Sequence, residues 1–215
     1  MDEIIKKKSM PKWIKIGILI AGIILVIIGL FKIFGSGSIM SNVLVDEFNE
    51  VQAPNADIRD AFTSVSNVLL GIGAKEIKKD YTGIISDLQT ALAKLDDAEA
   101  KIVSTSDPLA EFQDIVDGSP DQNVKITGTH FIDVFKSKNV AQMKMVSDSR
   151  DLINQAITYY NEMAHNKKIT VDEKKFNAAV SAFGVNAQNI TNISAQYEAA
   201  ANDFAKAAGF TIEKK

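Results

Sequence analysis

From Ile16 to Phe31 the chain runs sixteen residues that are all apolar or glycine, with no charge among them. Widened to Trp13–Phe34, the segment has 22 residues. A helix of that length covers about 33 Å, enough to cross a hydrocarbon layer of about 30 Å. Lys12, Trp13, Lys15 and Lys32 flank it as membrane anchors: the indole suits the interface, and the ammonium groups reach back to the headgroups. Lys6, Lys7, Lys8, Lys12 and Lys15 precede the apolar core, whereas after Lys32 the next lysine is Lys75 and only Arg59 intervenes. That bias predicts a cytoplasmic N-terminus. A cleaved signal peptide is the competing reading, since Gly35-Ser36-Gly37-Ser38 follows. The run is longer than the usual 7–15 or so residues of a signal core and no Ala-x-Ala ends it, which favours a retained anchor. In both readings residues 39–215 lie outside the cell membrane.

The expected organisation is a cytoplasmic tail (1–12), a transmembrane helix (13–34), a flexible joint (35–40), an extracytoplasmic helical domain (41–209) and a short tail (210–215). Charge divides along the same line. Residues 1–34 carry six lysines against Asp2 and Glu3, a net +4, and the remainder carries −7. An acidic exported part excludes a basic nucleic-acid binder. With no cysteine there is no disulfide, thiolate metal site or cysteine nucleophile, so a hydrophobic core must supply the stability.

Beyond the joint, apolar residues recur at helical steps. Leu44, Phe48 and Val51 form a stripe before Pro54, where the helix should kink or restart. Ile58, Ala61, Phe62, Val65, Val68, Leu69 and Ile72 follow, with Gly71-Ile72-Gly73-Ala74 read as a short turn between antiparallel neighbours. Ile77, Tyr81, Ile84, Leu88, Ala91, Leu95, Ala98 and Ile102 then occupy a and d positions of successive heptads. Ser104–Gly128 reads as a long crossover. It contains one short amphipathic helix capped by Asp107-Pro108 and closed by Gly118. The third long helix is expected from Thr129 to His165-Asn166, with Ile132, Phe135, Met143, Val146, Ile153, Ile157 and Tyr160 inward. A Thr170–Glu173 capping box opens a fourth, whose stripe runs from Phe176 to Ala207 and stops at Gly209. The fold class expected is therefore all-α: one N-terminal transmembrane helix, then an antiparallel four-helix bundle with a long crossover loop. Helices of about 30 residues make a rod about 45 Å tall. Asn186 and Arg150 fall on inner stripes and read as buried polar residues that fix register.

Catalytic sets are sparse. Glu162-Met163-Ala164-His165 has the Glu-x-x-His spacing of carboxylate-bridged metal bundles, but those need a second such motif and two more glutamates, and His130 has Thr127 three residues before it. His165 reads instead as a C-terminal helix cap. Gly71-Ile72-Gly73-Ala74-Lys75 lacks the rest of a phosphate loop. Asp96, Asp97 and Glu99 read as a solvated helix face. The sequons at Asn189 and Asn192 sit beside inward Ile190 and Ile193 in mid-helix, which argues against their use. No catalytic, metal-binding or cofactor-binding residues are assigned, and no cofactor is expected.

Asn42-Val43-Leu44-Val45 just after the apolar segment, then Arg150, Asn154-Gln155-Ala156-Ile157 and Tyr160-Asn161, give an order of motifs that resembles the LemA family. Ser41 and Ile153 stand where that family has tyrosines, no Leu-Ile-Pro-Asn-Leu-Val counterpart occurs near Val68-Leu69-Leu70, and a further helix follows. The resemblance implies a membrane-anchored helical protein and no particular reaction. The functional expectation is a non-enzymatic binding or scaffold component of an envelope assembly, with a protein partner and no nucleic acid. The alternative is a ligand-sensing module that signals through a partner membrane subunit. The oligomeric state stays open, because Gly17, Gly22 and Gly29 form no clean Gly-x-x-x-Gly pair.

Overall fold

A computed structural model describes residues 43–212. The flanking residues Lys12, Trp13, Lys15 and Lys32, the 13–34 segment they bracket and the 35–40 joint lie outside that range. No helix among the described residues is long and apolar enough to cross a membrane. Those residues are all-helical: α1 (Val43–Gln52), α2 (Pro54–Ile77), α3 (Tyr81–Val103), α4 (Ser106–Gly118), α5 (Gln122–Ala164) and α6 (Glu173–Ala207).

Six helices make four columns. Pro54 has no N–H to give, so α1 stops and α2 restarts beside it; Ala53 keeps the αR conformation, and its N–H still reaches Asn49 O at 2.9 Å. The first column is thus α1 continued by α2. The second is α3 continued by α4 across a buried Thr105. The third and fourth are α5 and α6, unbroken over 43 and 35 residues. Neighbouring columns run antiparallel. Lys101 pairs with Asp57 and Lys75 with Asp87 between α2 and α3, Arg150 reaches Asp96 and Glu99 between α5 and α3, and Phe131 of α5 lies beside Phe204 of α6.

Two cores are stacked along these columns. The upper one draws Ile58, Phe62 and Val65 from α2, Ile84 to Ile102 from α3, Met145 to Tyr160 from α5, and Phe176 to Ile190 from α6. The lower one draws Phe48 and Val51 from α1, Leu109, Phe112 and Val116 from α4, Val124 to Phe135 from α5, and Tyr197 to Phe204 from α6. Phe210 and Ile212, past the last helix, also pack on the lower core.

Several sequence expectations are corrected. The turn at Gly71–Ala74 does not exist. α2 runs through both glycines, which face open space, and turns at Lys78-Lys79-Asp80. There Lys79 adopts φ +59°, the Asp80 N–H bonds Lys75 O, and the Asp80 carboxylate accepts from Gly83 N at 3.0 Å. A glycine within a helix costs only about 1 kcal/mol, less than a wrongly placed turn. Ile77 consequently ends α2 and is 85% exposed, not inward on α3. The long crossover is also absent. α4 begins at Ser106, without an Asp107 cap, and α5 begins at Gln122 rather than Thr129, so the connection shrinks to Ser119-Pro120-Asp121. Asp121 caps α5 by accepting from Asn123 N at 2.7 Å and Val124 N at 3.3 Å. Gly128, read as a boundary, lies inside α5 against α4, where an added Cβ would sit 2.7 Å from Val116 Cγ1. Asp172, not Thr170, caps α6; Thr170 gives its N–H and hydroxyl to Glu162 instead.

Gly209 closes α6 as expected. At φ +78° it lets Phe210 N bond Ala205 O at 2.9 Å, the reversed hydrogen-bond pattern of a left-handed helix end.

Candidate functional site

The two broken columns break at one level, and consecutive residues of α5 hold both breaks. Lys138 Nζ donates to Asn55 Oδ1 at 2.6 Å, one residue past the Pro54 restart. Asn139 Nδ2 donates to Thr105 Oγ1 at 2.7 Å, where α3 gives way to α4. The Thr105 hydroxyl in turn donates to Ile102 O at 2.7 Å. α6 joins through Tyr197: its ring centroid lies 4.2 Å from Lys138 Nζ, it accepts from Asn55 Nδ2 at 3.3 Å, and its hydroxyl donates to Gln52 Oε1 at 3.1 Å. Lys138 is 1% exposed and Tyr197 is fully buried. A polar layer therefore separates the upper core from the lower one.

Burial dominates the electrostatics of this layer. Desolvation pushes the Lys138 ammonium down to about 7. It drives the Tyr197 phenol upward, with the Asn55 hydrogen bond opposing. The Tyr197 ring face attracts the cation. Lys138 is accordingly a proton-binding group that titrates near neutrality in the middle of the rod. One α-turn further, Gln142 is fully buried, and neither of its amide atoms has a hydrogen-bond partner. The α5–α6 register, which sets Tyr197 beside Lys138 and Asn186 beside Asp148, brings buried Ser194 level with Gln142, and its hydroxyl has no partner either. Buried amides and hydroxyls of this kind are normally satisfied by ordered water or a polar guest.

The residues singled out from sequence are placed elsewhere. Asn186 is buried and donates its amide to Asp148, a lock between α6 and α5. Arg150 is not buried; its side chain is 33% exposed and its guanidinium reaches Asp96 at 2.7 Å and Glu99 at 2.6 Å. The hydrogen bonds to Glu99 and Asp96 raise its pKa. Those two carboxylates are thus taken, and Asp97 pairs with Lys94 at 3.0 Å. The Glu-x-x-His pair diverges. Glu162 accepts from Thr170, which holds its carboxyl below the usual range, while His165 Nδ1 lies 2.8 Å from Asn161 O at the helix end. His130 is exposed on α5. Among the described residues no three histidine or acidic side chains cluster as metal ligands.

Sequence reasoning missed Lys138 and Gln142, although the signal was present. Phe131, Phe135, Lys138, Gln142, Met145, Ser149 and Leu152 follow in steps of four and three, and all seven are buried. A stripe counted only through apolar residues skips the polar ones, and the gap between Phe135 and Met143 marked the site.

Comparison with protein families, characterised proteins and solved structures finds no match to the chain. Of the residues that carry the LemA resemblance, Val43, Leu44 and Val45 open α1, while Arg150, Asn154-Gln155-Ala156-Ile157 and Tyr160-Asn161 lie along α5. Asn42 is outside the described range.

Proposed function

We propose that the chain is a membrane-tethered extracytoplasmic rod, related to LemA-like anchored helical proteins, that acts as a non-enzymatic scaffold or binding component of an envelope assembly. The observation that carries this reading is the continuity of α5 and α6 through both cores. A helix of 43 residues is about 65 Å long. Two unbroken members, of 43 and 35 residues, with broken columns pinned to them, suit a spacer that holds a partner away from a surface. The chain enters this rod at Val43, at the start of α1, whose Phe48 packs beside Phe112 and Phe204 of the lower, aromatic core, so a tether in 13–34 sets the 78–80 and 165–172 turns farthest from the membrane. Protease added to intact cells should degrade residues 43–212 and spare a small N-terminal fragment. Protection of the whole chain until lysis contradicts the orientation.

A second reading, a ligand-sensing module that signals through a partner membrane subunit, draws support from the unsatisfied Gln142 amide and Ser194 hydroxyl at the joint. A small polar molecule that raises the melting temperature of the wild type but not of Gln142→Leu would favour it.

A further inference from the structure

Fourteen consecutive residues, Ala61–Ala74, carry no charge, yet only one side of that stretch faces the bundle. Ala61, Phe62, Val65 and Ser66 are buried. Asn67, Leu70, Gly71, Ala74 and Ile77 are exposed, Leu70 by 45% and Ile77 by 85%. Above Gly71 there is open space. An uncharged helical face with exposed leucine and isoleucine is unlike a solvated one.

Its two ends tell what covers it. Asp60, Ser64, Asn67, Gly71, Ala74 and Lys78 follow at steps of four and three, one line along the outer side of α2. Reversed on itself about Leu69, the line is its own complement: Asp60 meets Lys78, Ser64 meets Ala74, and Asn67 meets Gly71. The Asp60 side chain is 73% exposed, pairs with its neighbour Arg59 at 3.4 Å and borders the groove that Lys94, Asp97 and Lys101 of α3 also line. Lys78 is exposed and makes no ion pair among the described residues. Parallel pairing would set Asp60 against Asp60 and Lys78 against Lys78, so the charges choose the antiparallel arrangement.

We propose that the outer face of α2 binds a second copy of this chain, the two α2 helices lying antiparallel about a two-fold axis at Leu69. Each copy offers the same patch, so the contact closes as a dimer. The paired length from Asp60 to Lys78 is about 27 Å, which belongs to the small, reversible class of interfaces. The two Val43 ends then lie roughly 80 Å apart, pointing in opposite directions. Under the tether proposal the pair joins two apposed surfaces, but the pairing itself does not depend on the tether.

Sedimentation of the full chain in mild detergent tests it. The wild type should pass from monomer to dimer with rising concentration. Asp60→Lys or Lys78→Asp, each placing two like-charge contacts in the interface, should weaken the dimer about tenfold. The double variant Asp60→Lys/Lys78→Asp should return to within about threefold of wild type, and Leu70→Glu should abolish association. All three positions are exposed, so helical content by circular dichroism should not change. A chain that stays monomeric overturns the proposal, as does a double variant no better than the single ones. A photo-crosslinker at position 67 that captures only a different protein in native membranes also overturns it. Protease access reads the tether separately, and either result can fail alone.

Discussion

The two cores solve one packing problem with different residues. Around the lower core, Phe48, Phe112, Phe131, Phe135, Tyr197, Phe204 and Phe210 form a continuous ring cluster with centroids 4.9–6.1 Å apart. The upper core is mainly aliphatic and alanine, with aromatic contacts gathered near its end, as in Tyr81 stacked 6.2 Å from Tyr160. The difference follows helix length. α1 and α4 have 10 and 13 residues, too short to be stable alone, and each large ring buries more apolar area than an alanine. α2 and α3 have 24 and 23 residues and spread their burial over more turns. Charge differs as well. Residues 43–52, 106–136 and 196–210 hold eleven acidic side chains against three basic, whereas 53–105 and 137–195 hold thirteen of each. The lower module therefore carries self-repulsion that its aromatic core must outweigh.

The sharpest way to break this contrast is to remove its central ring. Phe131 touches Phe48, Phe112, Phe135, Tyr197 and Phe204, so Phe131→Ala should destabilise by about 3–5 kcal/mol. Hydrogen exchange should show α1 and α4 losing protection while α2 and α3 keep it. Uniform loss would mean the two cores melt as one unit.

The joint between them gives a smaller effect with a pH signature. The folded pKa of Lys138, about 7, lies below the unfolded value of about 10.4. Above pH 7 the unfolded chain holds a proton that the folded chain has released, so stability rises with pH from 7 to 9 and is lowest below 7. Lys138→Met should stabilise by about 2–4 kcal/mol at pH 7 and flatten that rise. Chemical denaturation at pH 7 and pH 9 measures both, and an unchanged slope would remove Lys138 as its source.

The smallest effects separate two glycines by sign. Gly128→Ala forces a methyl against Val116 and Phe204 and should cost about 1–3 kcal/mol. Gly73→Ala, on open helix, should stabilise by about 1 kcal/mol. Thermal melts of the pair read the difference.

Most of the helical architecture was legible because heptad spacing survives tertiary packing. The stripes through Leu88 and Leu95, or Phe183 and Tyr197, became core. Boundaries were less legible. Gly71 and Gly128 look alike in sequence, but one faces solvent and the other a neighbouring helix, a distinction set by the third dimension alone. Asp80 and Asp121 are the true start signals, and the glycines and prolines near them mask that role in the sequence. The joint is hidden in the sequence because its lysine and glutamine occupy buried stripe positions that an apolar pattern leaves blank.

The unbroken third column is the feature on which the rod, its two cores and its joint all depend. The chain has no cysteine, so spin labels on Ile126→Cys and Asn161→Cys, both exposed on α5, report its length by electron–electron dipolar spectroscopy. A continuous helix across those 35 residues should give one narrow distance near 53 Å. A broad distribution, or a distance much shorter than that, would show that α5 is interrupted and that the two cores do not share a common strut.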